Sequence, residues 1–211
     1  MSLGAKVRAA FGRHEPLVSE LWRGMFVDVA HWTSIVLRWA PGPGRILEVG
    51  CGEGYSTARL VEAYPEVPLD AIDIAGNIGR LYDGAAGAAN FRIAFAEEIA
   101  AESPAAYDLI VLSDVLHHVP PGQRTSLLQA IRTLLAPGGT LAMKDWNRAP
   151  AQPIHWAVHG SDRFLTGDRV QYMTRAEARQ LVESVFGGES IRAETSVRPW
   201  TNNYAFRIQP A

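Results

Sequence analysis

The chain is nearly without cysteine. Cys51 is the single one among 211 residues, which excludes an intramolecular disulfide and fits a reducing compartment. It also lacks an excess of either charge. Twenty basic residues face 22 acidic ones, for a formal net charge of −2, so neither a basic stripe for nucleic acid nor a polybasic run for a membrane surface is present. No apolar run approaches the roughly 18 residues that span a bilayer. The opening MSLGAKVRAAFGRH has no long apolar core of the kind a signal peptide needs. Repeats, low-complexity segments and a second domain boundary are missing too. The expectation is one soluble, cytoplasmic domain, monomer or homodimer, that contacts neither nucleic acid nor membrane and takes a small molecule. A hydrophobic content of 47% is enough for a sizeable core.

What is present is organised around Arg45–Ser56, RILEVGCGEGYS. Ile46, Leu47 and Val49 read as a buried strand that runs into a turn containing Gly50, Gly52 and Gly54, and then into a helix. A turn without side chains lets a ligand come close to the backbone, and the following helix points free N–H groups at it. In open α/β sheets such turns lie outside the carboxyl ends of the strands, where ligands bind.

The rest of the chain alternates. Helices are expected over 3–13 and from Pro16 to Ala40, before the breaker PGPG. After the glycine turn come a helix over 56–63, a strand over 68–73 ending in Asp73, and an alanine-rich helix over 77–88. A strand over 91–95, the segment AEEIAAE and a strand over 107–114 follow. A helix from Pro121 to Leu135 is stopped by APGG, and a strand over 140–145 comes next. Strand–helix alternation of this kind marks a parallel sheet. The stretch 146–173 has no clean period and is too long for an ordinary connector. Thr174 and Glu177 form a capping box for a helix to Phe186, and SIRAETSV and NYAFRIQ read as two closing strands.

The order Glu48-x-Gly50-x-Gly52-x-Gly54 differs from the dinucleotide spacing G-x-G-x-x-G, because Tyr55 stands at the position of the third glycine. It resembles the first motif of the class I S-adenosylmethionine-dependent methyltransferases. Asp73 matches that family's acid at the end of the second strand, SDVLHHV the segment after the fourth, and LLAPGG the turn before the fifth. The resemblance covers most of 45–145. It implies a Rossmann-like, doubly wound α/β fold: a seven-stranded, mostly parallel sheet with the last strand antiparallel, plus N-terminal helices. Within it, 1–40 would be a helical lid, 45–145 the cofactor core, 146–173 an acceptor-pocket insert, and 174–211 the closing helix and strands.

The implied cofactor is S-adenosyl-L-methionine. The implied contacts are Glu48, Gly50, Cys51, Gly52 and Gly54 in the turn, Asp73 and Ile74 after the second strand, Ala96 and Glu97 after the third, and Asp114 and Val115 after the fourth. Asp73 suits the two ribose hydroxyls, since a carboxylate accepts from both; Asp70 lies further from the strand's end. One departure stands out. Where the family carries an acid for the adenine amino group, this chain has Phe95, so Glu97 or a backbone carbonyl must serve.

Methyl transfer to a hydroxyl or amine calls for a base, most often histidine. His117 and His118 follow the fourth strand, where the acceptor would approach, and are the catalytic candidates; loop packing is the alternative for either. By the resemblance Glu48 orients the turn or reaches the ligand's amino group through water; the alternative is a buried acid that accepts backbone N–H groups. His155 and His159 share a helix face if that stretch is helical, but no HEXXH and no thiolate accompany them, so no metal is expected. Asp114, Asp145 and Asn147 resemble a metal-dependent acidic set only loosely, with Trp146 interrupting it. Arg163, Arg169 and Tyr172 in the long stretch are candidate acceptor contacts. The expected reaction is methyl transfer to a small-molecule oxygen. Nitrogen or carbon transfer, a non-catalytic S-adenosylmethionine-binding protein and a nicotinamide oxidoreductase remain as alternatives.

Overall fold

A computed structural model describes residues 27–148 and 170–210. Its twelve described elements are α1 (Val29–Trp39), β1 (Ile46–Val49), α2 (Tyr55–Ala63), β2 (Leu69–Asp73), β3 (Ala89–Ile93), α3 (Ala96–Glu102), β4 (Tyr107–Ser113), α4 (Pro121–Leu134), β5 (Leu135–Trp146), α5 (Arg175–Phe186), β6 (Ile191–Ser196) and β7 (Asn203–Ile208). One seven-stranded sheet runs in the order β3-β2-β1-β4-β5-β7-β6. The first five strands are parallel to one another, and β7 is antiparallel to both β5 and β6. The expected architecture is therefore the one found. The helices 3–13 and the first part of the helix from Pro16 lie outside the described residues, as does most of 146–173.

Strand periodicity sorts the core into two layers. Leu47, Val49, Ile110, Leu112, Leu141, Met143, Tyr204 and Phe206 point to the face covered by α3, α4 and α5. Ile46, Leu109, Val111, Ala142 and Ala205 point to the opposite face, with Trp32, Ile35 and Val36 of α1 and Leu60 of α2. β1 sits where the strand order reverses, so its carboxyl end and that of β4 flank the crevice in which α/β sheets hold ligands.

Most boundaries fall within two residues of expectation, and three departures have physical causes. The helix expected over 77–88 does not form; the segment is a run of turns. Gly79 and Gly87 adopt positive φ, and the N–H groups of Gly79 and Leu81 are spent on the carbonyls of Gly52 and Glu53 instead of on a helical ladder. β3 begins two residues early, at Ala89, where it pairs with Leu69 and where Asn90 donates to Asp70 at 2.9 Å. β5 begins at Leu135, paired with Tyr107, and a register shift before Leu109 absorbs the APGG turn. The capping box at Thr174 and Glu177 is present, with both reciprocal bonds made.

Candidate functional site

Gly50, Gly52 and Gly54 all have positive φ, at 75°, 53° and 89°, a region that L side chains enter only at a cost. A Cβ on Gly50 would lie 2.3 Å from Val115 Cγ2, and one on Gly54 would press on Gly79, Tyr82 and Phe91. Above Gly52 the space is open, with nothing within 4 Å of a Cβ. The turn is hung from β2 by two bonds to the carbonyl of Ile72, from Gly50 at 2.8 Å and from Cys51 at 3.1 Å.

Glu48 is buried and accepts from the hydroxyls of Ser56 and Thr57, each at 2.5 Å. Its acceptor role is thus to side-chain hydroxyls in the first turn of α2, and it ties the strand to the helix on either side of the turn. Burial, partly offset by those two hydroxyls, pushes its carboxyl above the usual range. Cys51 is buried, and burial followed by the charges of Glu48 and Asp73 raises its thiol. It acts as a small filler under the turn.

Asp73 stands at the carboxyl end of β2. Its Oδ2 accepts from Gly52 N at 2.7 Å and its Oδ1 from Ala75 N at 2.8 Å. A carboxylate has about four lone-pair sites, so each oxygen keeps one. Asp70 faces a different set at the other end of the strand: Arg45, Asn90 and Tyr107. Those hydrogen bonds outweigh burial and hold its carboxyl below the usual range. Beside Asp73, Ile74 is 66% exposed and Phe95 57% exposed, while Ala96 is buried and Glu97 exposed at the start of α3.

Across the crevice the side chains are of another kind. Asp114 has φ 58°, a strained conformation for a residue with a side chain. Its Oδ2 accepts from Lys144 Nζ, and the lysine is buried on β5. Ser113 Oγ accepts from Trp32 Nε1 at 2.8 Å. On the other face of β5, Asp145 receives His117 Nδ1 at 2.5 Å, His117 N at 3.2 Å and Trp146 N at 2.7 Å. Burial alone would raise the Asp145 carboxyl, but the facing imidazole and these hydrogen bonds hold it below its ordinary value.

His117 is 4% exposed and stacks on Tyr172 with centroids 4.8 Å apart. His118 is exposed, and its ring centre lies 4.2 Å from that of His117. Arg124 donates to the carbonyls of Val119 and Gln171 at 2.9 and 2.5 Å, which clamps segment 170–172 to the loop after β4. Beside this clamp a groove of about 490 Å³ is lined by Arg124, Arg148, Gln171, Tyr172, Met173 and Glu177, a volume in the range of small-molecule sites.

The structure therefore gathers Glu48, the three glycines, Cys51, Val115 and Asp73 around one turn, and His117, His118 and Asp114 on the adjoining edge. Sequence reasoning missed Lys144, and missed Asp145 as the partner of His117. The signal was available: adjacent charges in TLAMKDW, inside a buried strand, are rarely tolerated unless paired. His155, His159, Arg163 and Arg169 lie outside the described residues. Among the described residues, no three metal-ligating side chains converge, and no helix is long and apolar enough to cross a membrane.

Residues 21–185 match the family described as a methyltransferase domain. The chain is 34% identical over 111 residues to the ubiquinone biosynthesis O-methyltransferase of Xanthomonas euvesicatoria pv. vesicatoria (strain 85-10), covering 51% of this chain and 45% of that protein. It thus spans about half the length of the curated relatives it matches. Its fold is similar to that of the 1,6-didemethyltoxoflavin-N1-methyltransferase of Burkholderia thailandensis, solved with 1,6-didemethyltoxoflavin and S-adenosylhomocysteine. The TM-score is 0.67 at 16% identity, over 98% of this chain and 88% of that one. It is similar also to the N,N-8-amino-8-demethyl-D-riboflavin dimethyltransferase of Streptomyces davawensis, with TM-score 0.69 at 17% identity, over 94% of this chain and 58% of that one.

Proposed function

The chain belongs to the methyltransferase-domain family, and from that we propose that it transfers the methyl group of S-adenosylmethionine to a hydroxyl oxygen of a small molecule, with His117 as the base. The observation that carries this reading is the His117–Asp145 pair at the carboxyl edge of the sheet, one strand away from the glycine turn.

The residues around the turn fit the cofactor. The space above Gly52 is open, Asp73 keeps a lone pair on each oxygen for vicinal hydroxyls, and exposed Ile74 and Phe95 offer apolar faces to a purine. No acid stands at Phe95, so the purine is held there by contact with flat and branched apolar surface. The sulfonium supplies the methyl group and the intrinsic driving force; the protein's part is placement and proton removal.

An ionised Asp145 accepting from Nδ1 requires the proton on that nitrogen, so the basic lone pair of the neutral ring is on Nε2. Asp145 then stabilises the imidazolium that forms when His117 takes the acceptor's proton, the logic of a base held by a carboxylate. Proton removal by an imidazole suits a phenolic or enolic hydroxyl better than an aliphatic one, whose proton is far less acidic. Tyr172, stacked on the ring, holds its plane.

Calorimetry with S-adenosylhomocysteine and with NADH tests the premise. Binding of the first alone is expected, and Asp73→Ala weakens it by about 1–3 kcal/mol, the scale of a lost hydrogen bond to a charged group. Binding of NADH instead, or full affinity in the variant, would overturn the reading.

A further inference from the structure

Arg124 is a buried cation without a carboxylate of its own. It is 6% exposed, and burial works against its charged form. Buried guanidinium groups are ordinarily paired, yet among the described residues Arg124 donates only to the carbonyls of Val119 and Gln171. The carboxylates of Asp145 and Glu177 act on it from a distance. The first is bound by His117, and the second by Arg148 and Thr174 N. A guanidinium has five N–H donors, and here Nε and Nη2 serve the two carbonyls. Nη1 has no hydrogen-bond partner among the described residues, and it is not sealed from solvent. The opening beside it is the groove of about 490 Å³ whose wall Arg124 helps to form.

A second feature of the same groove is also electropositive. Pro121, the first residue of α4, lines it. That helix has 14 residues, no side-chain cap and no acidic residue in its first turn, so its N-terminus presents an uncompensated partial positive charge. The N-terminus of α5 is different, because Thr174 and Glu177 cap it. The groove also lies on the side of the sheet that holds the proposed base. Asp145 follows Met143 by two residues on β5, so both point to the face that α4 covers. Gln171, whose carbonyl Arg124 holds, donates from its N–H to the carbonyl of His117 at 2.8 Å.

We propose that this groove binds the carboxylate of a compact organic acid, with Arg124 Nη1 as donor and the apolar body of the acid against Val170, Tyr172 and Met173. One cation without a counter-charge suits a monoanion. Glu177 lines the same groove, so a dianion such as phosphate would meet a like charge. The ring of Tyr172 is held flat by its stacking on His117 and offers a wall to a planar acid. The site goes beyond the methyl-transfer reading and does not depend on it. The acid is either the methyl acceptor or a separate ligand beside it, and the chemistry of recognition is the same for both.

Benzoate and benzamide, alike in shape and different in charge, test the site by calorimetry and saturation-transfer NMR on the full chain. Benzoate is expected to bind at least about tenfold more tightly, the scale of a hydrogen bond to a charged group, and an equal concentration of inorganic phosphate to leave it bound. Arg124→Met should erase the preference for benzoate while S-adenosylhomocysteine binds as before. That substitution also removes the clamp on Gln171, so a second variant leaves the clamp alone. Glu177→Gln keeps the capping box, which accepts either residue, and removes the negative charge from the groove. Benzoate should then bind about two- to fivefold more tightly, the worth of a surface charge pair. Equal binding of the two probes, displacement by phosphate, a preference that survives Arg124→Met, or no gain in Glu177→Gln would overturn the proposal. An interligand Overhauser effect between the S-methyl group of S-adenosylmethionine and the benzoate ring identifies the acid as the acceptor; its absence identifies a separate ligand. Failure of the wild-type protein to take up S-adenosylhomocysteine would end the methyl-transfer reading and leave the benzoate results standing, so the two failures are distinguishable.

Discussion

The two halves of the crevice differ in how their polar groups are satisfied. On the β1–β2 side, Glu48 accepts from two hydroxyls and Asp73 from two backbone N–H groups. The carbonyls of Gly52 and Glu53 are capped by Gly79 and Leu81. This half is internally complete. On the β4–β5–β7 side, buried Lys144 shares one carboxylate oxygen of Asp114, the other oxygen is orphaned, and the buried amides of Asn202 and Asn203 have no partner among the described residues. A half that satisfies itself is preorganised before any ligand arrives and suits a molecule used by a whole family. One left short of partners keeps open donors at its edge, as on Arg124, and residues that a ligand completes carry specificity.

The comparison breaks most sharply on turnover. His117→Ala is expected to lower kcat by about 10²–10⁴, the usual worth of a positioned base, with S-adenosylhomocysteine affinity unchanged, because the residue belongs only to the second half. A matching loss of cofactor affinity would mean that the halves are not separable. Next in size is Gly50→Ala. It combines a positive φ with a Cβ 2.3 Å from Val115, and should cost about 2–4 kcal/mol in urea unfolding. Val115→Ala in the same chain should restore the packing part and leave the backbone part.

The smallest effects are pH dependences of opposite sign. Glu48 is raised from its ordinary 4.5 by burial, so the folded state keeps that proton to higher pH than the unfolded chain, and stability falls as pH rises above that value. Asp145 is lowered from 3.8 because its His117 and backbone hydrogen bonds outweigh burial. Its contribution is therefore complete above 3.8 and is lost as pH falls through the folded value. Thermal midpoints against pH should show Glu48→Gln flattening the decline toward neutrality and Asp145→Asn removing part of the acid loss. Curves that superpose on wild type would show that neither carboxylate titrates differently on folding.

Much of the first half was legible in the chain. Three alternate glycines after an apolar run, followed by an acid at the end of the next strand, are local patterns, and local patterns survive folding. The helix expected over 77–88 was misread because alanine content favoured it, while Gly79 and Gly87 take positive φ and the N–H groups of Gly79 and Leu81 cap the turn. His117 was singled out by its place after β4, but its partner was not. Asp145 is 28 residues away in sequence, and only the parallel pairing of β4 with β5 brings them together. Asn202 and Asn203 carried no signal at all, since asparagines where a turn runs into a strand read as ordinary turn chemistry.

The amino-acid order by itself determined the glycine turn, the strand that leads into it and the alternation that makes the sheet parallel, because each depends on backbone freedom and hydrophobic period within a dozen residues. Only the tertiary structure decided which charges share a face and which polar atoms go without partners. Those outcomes depend on strand order and on burial, and the antiparallel seating of β7 against β5 settles both only after the whole sheet has closed.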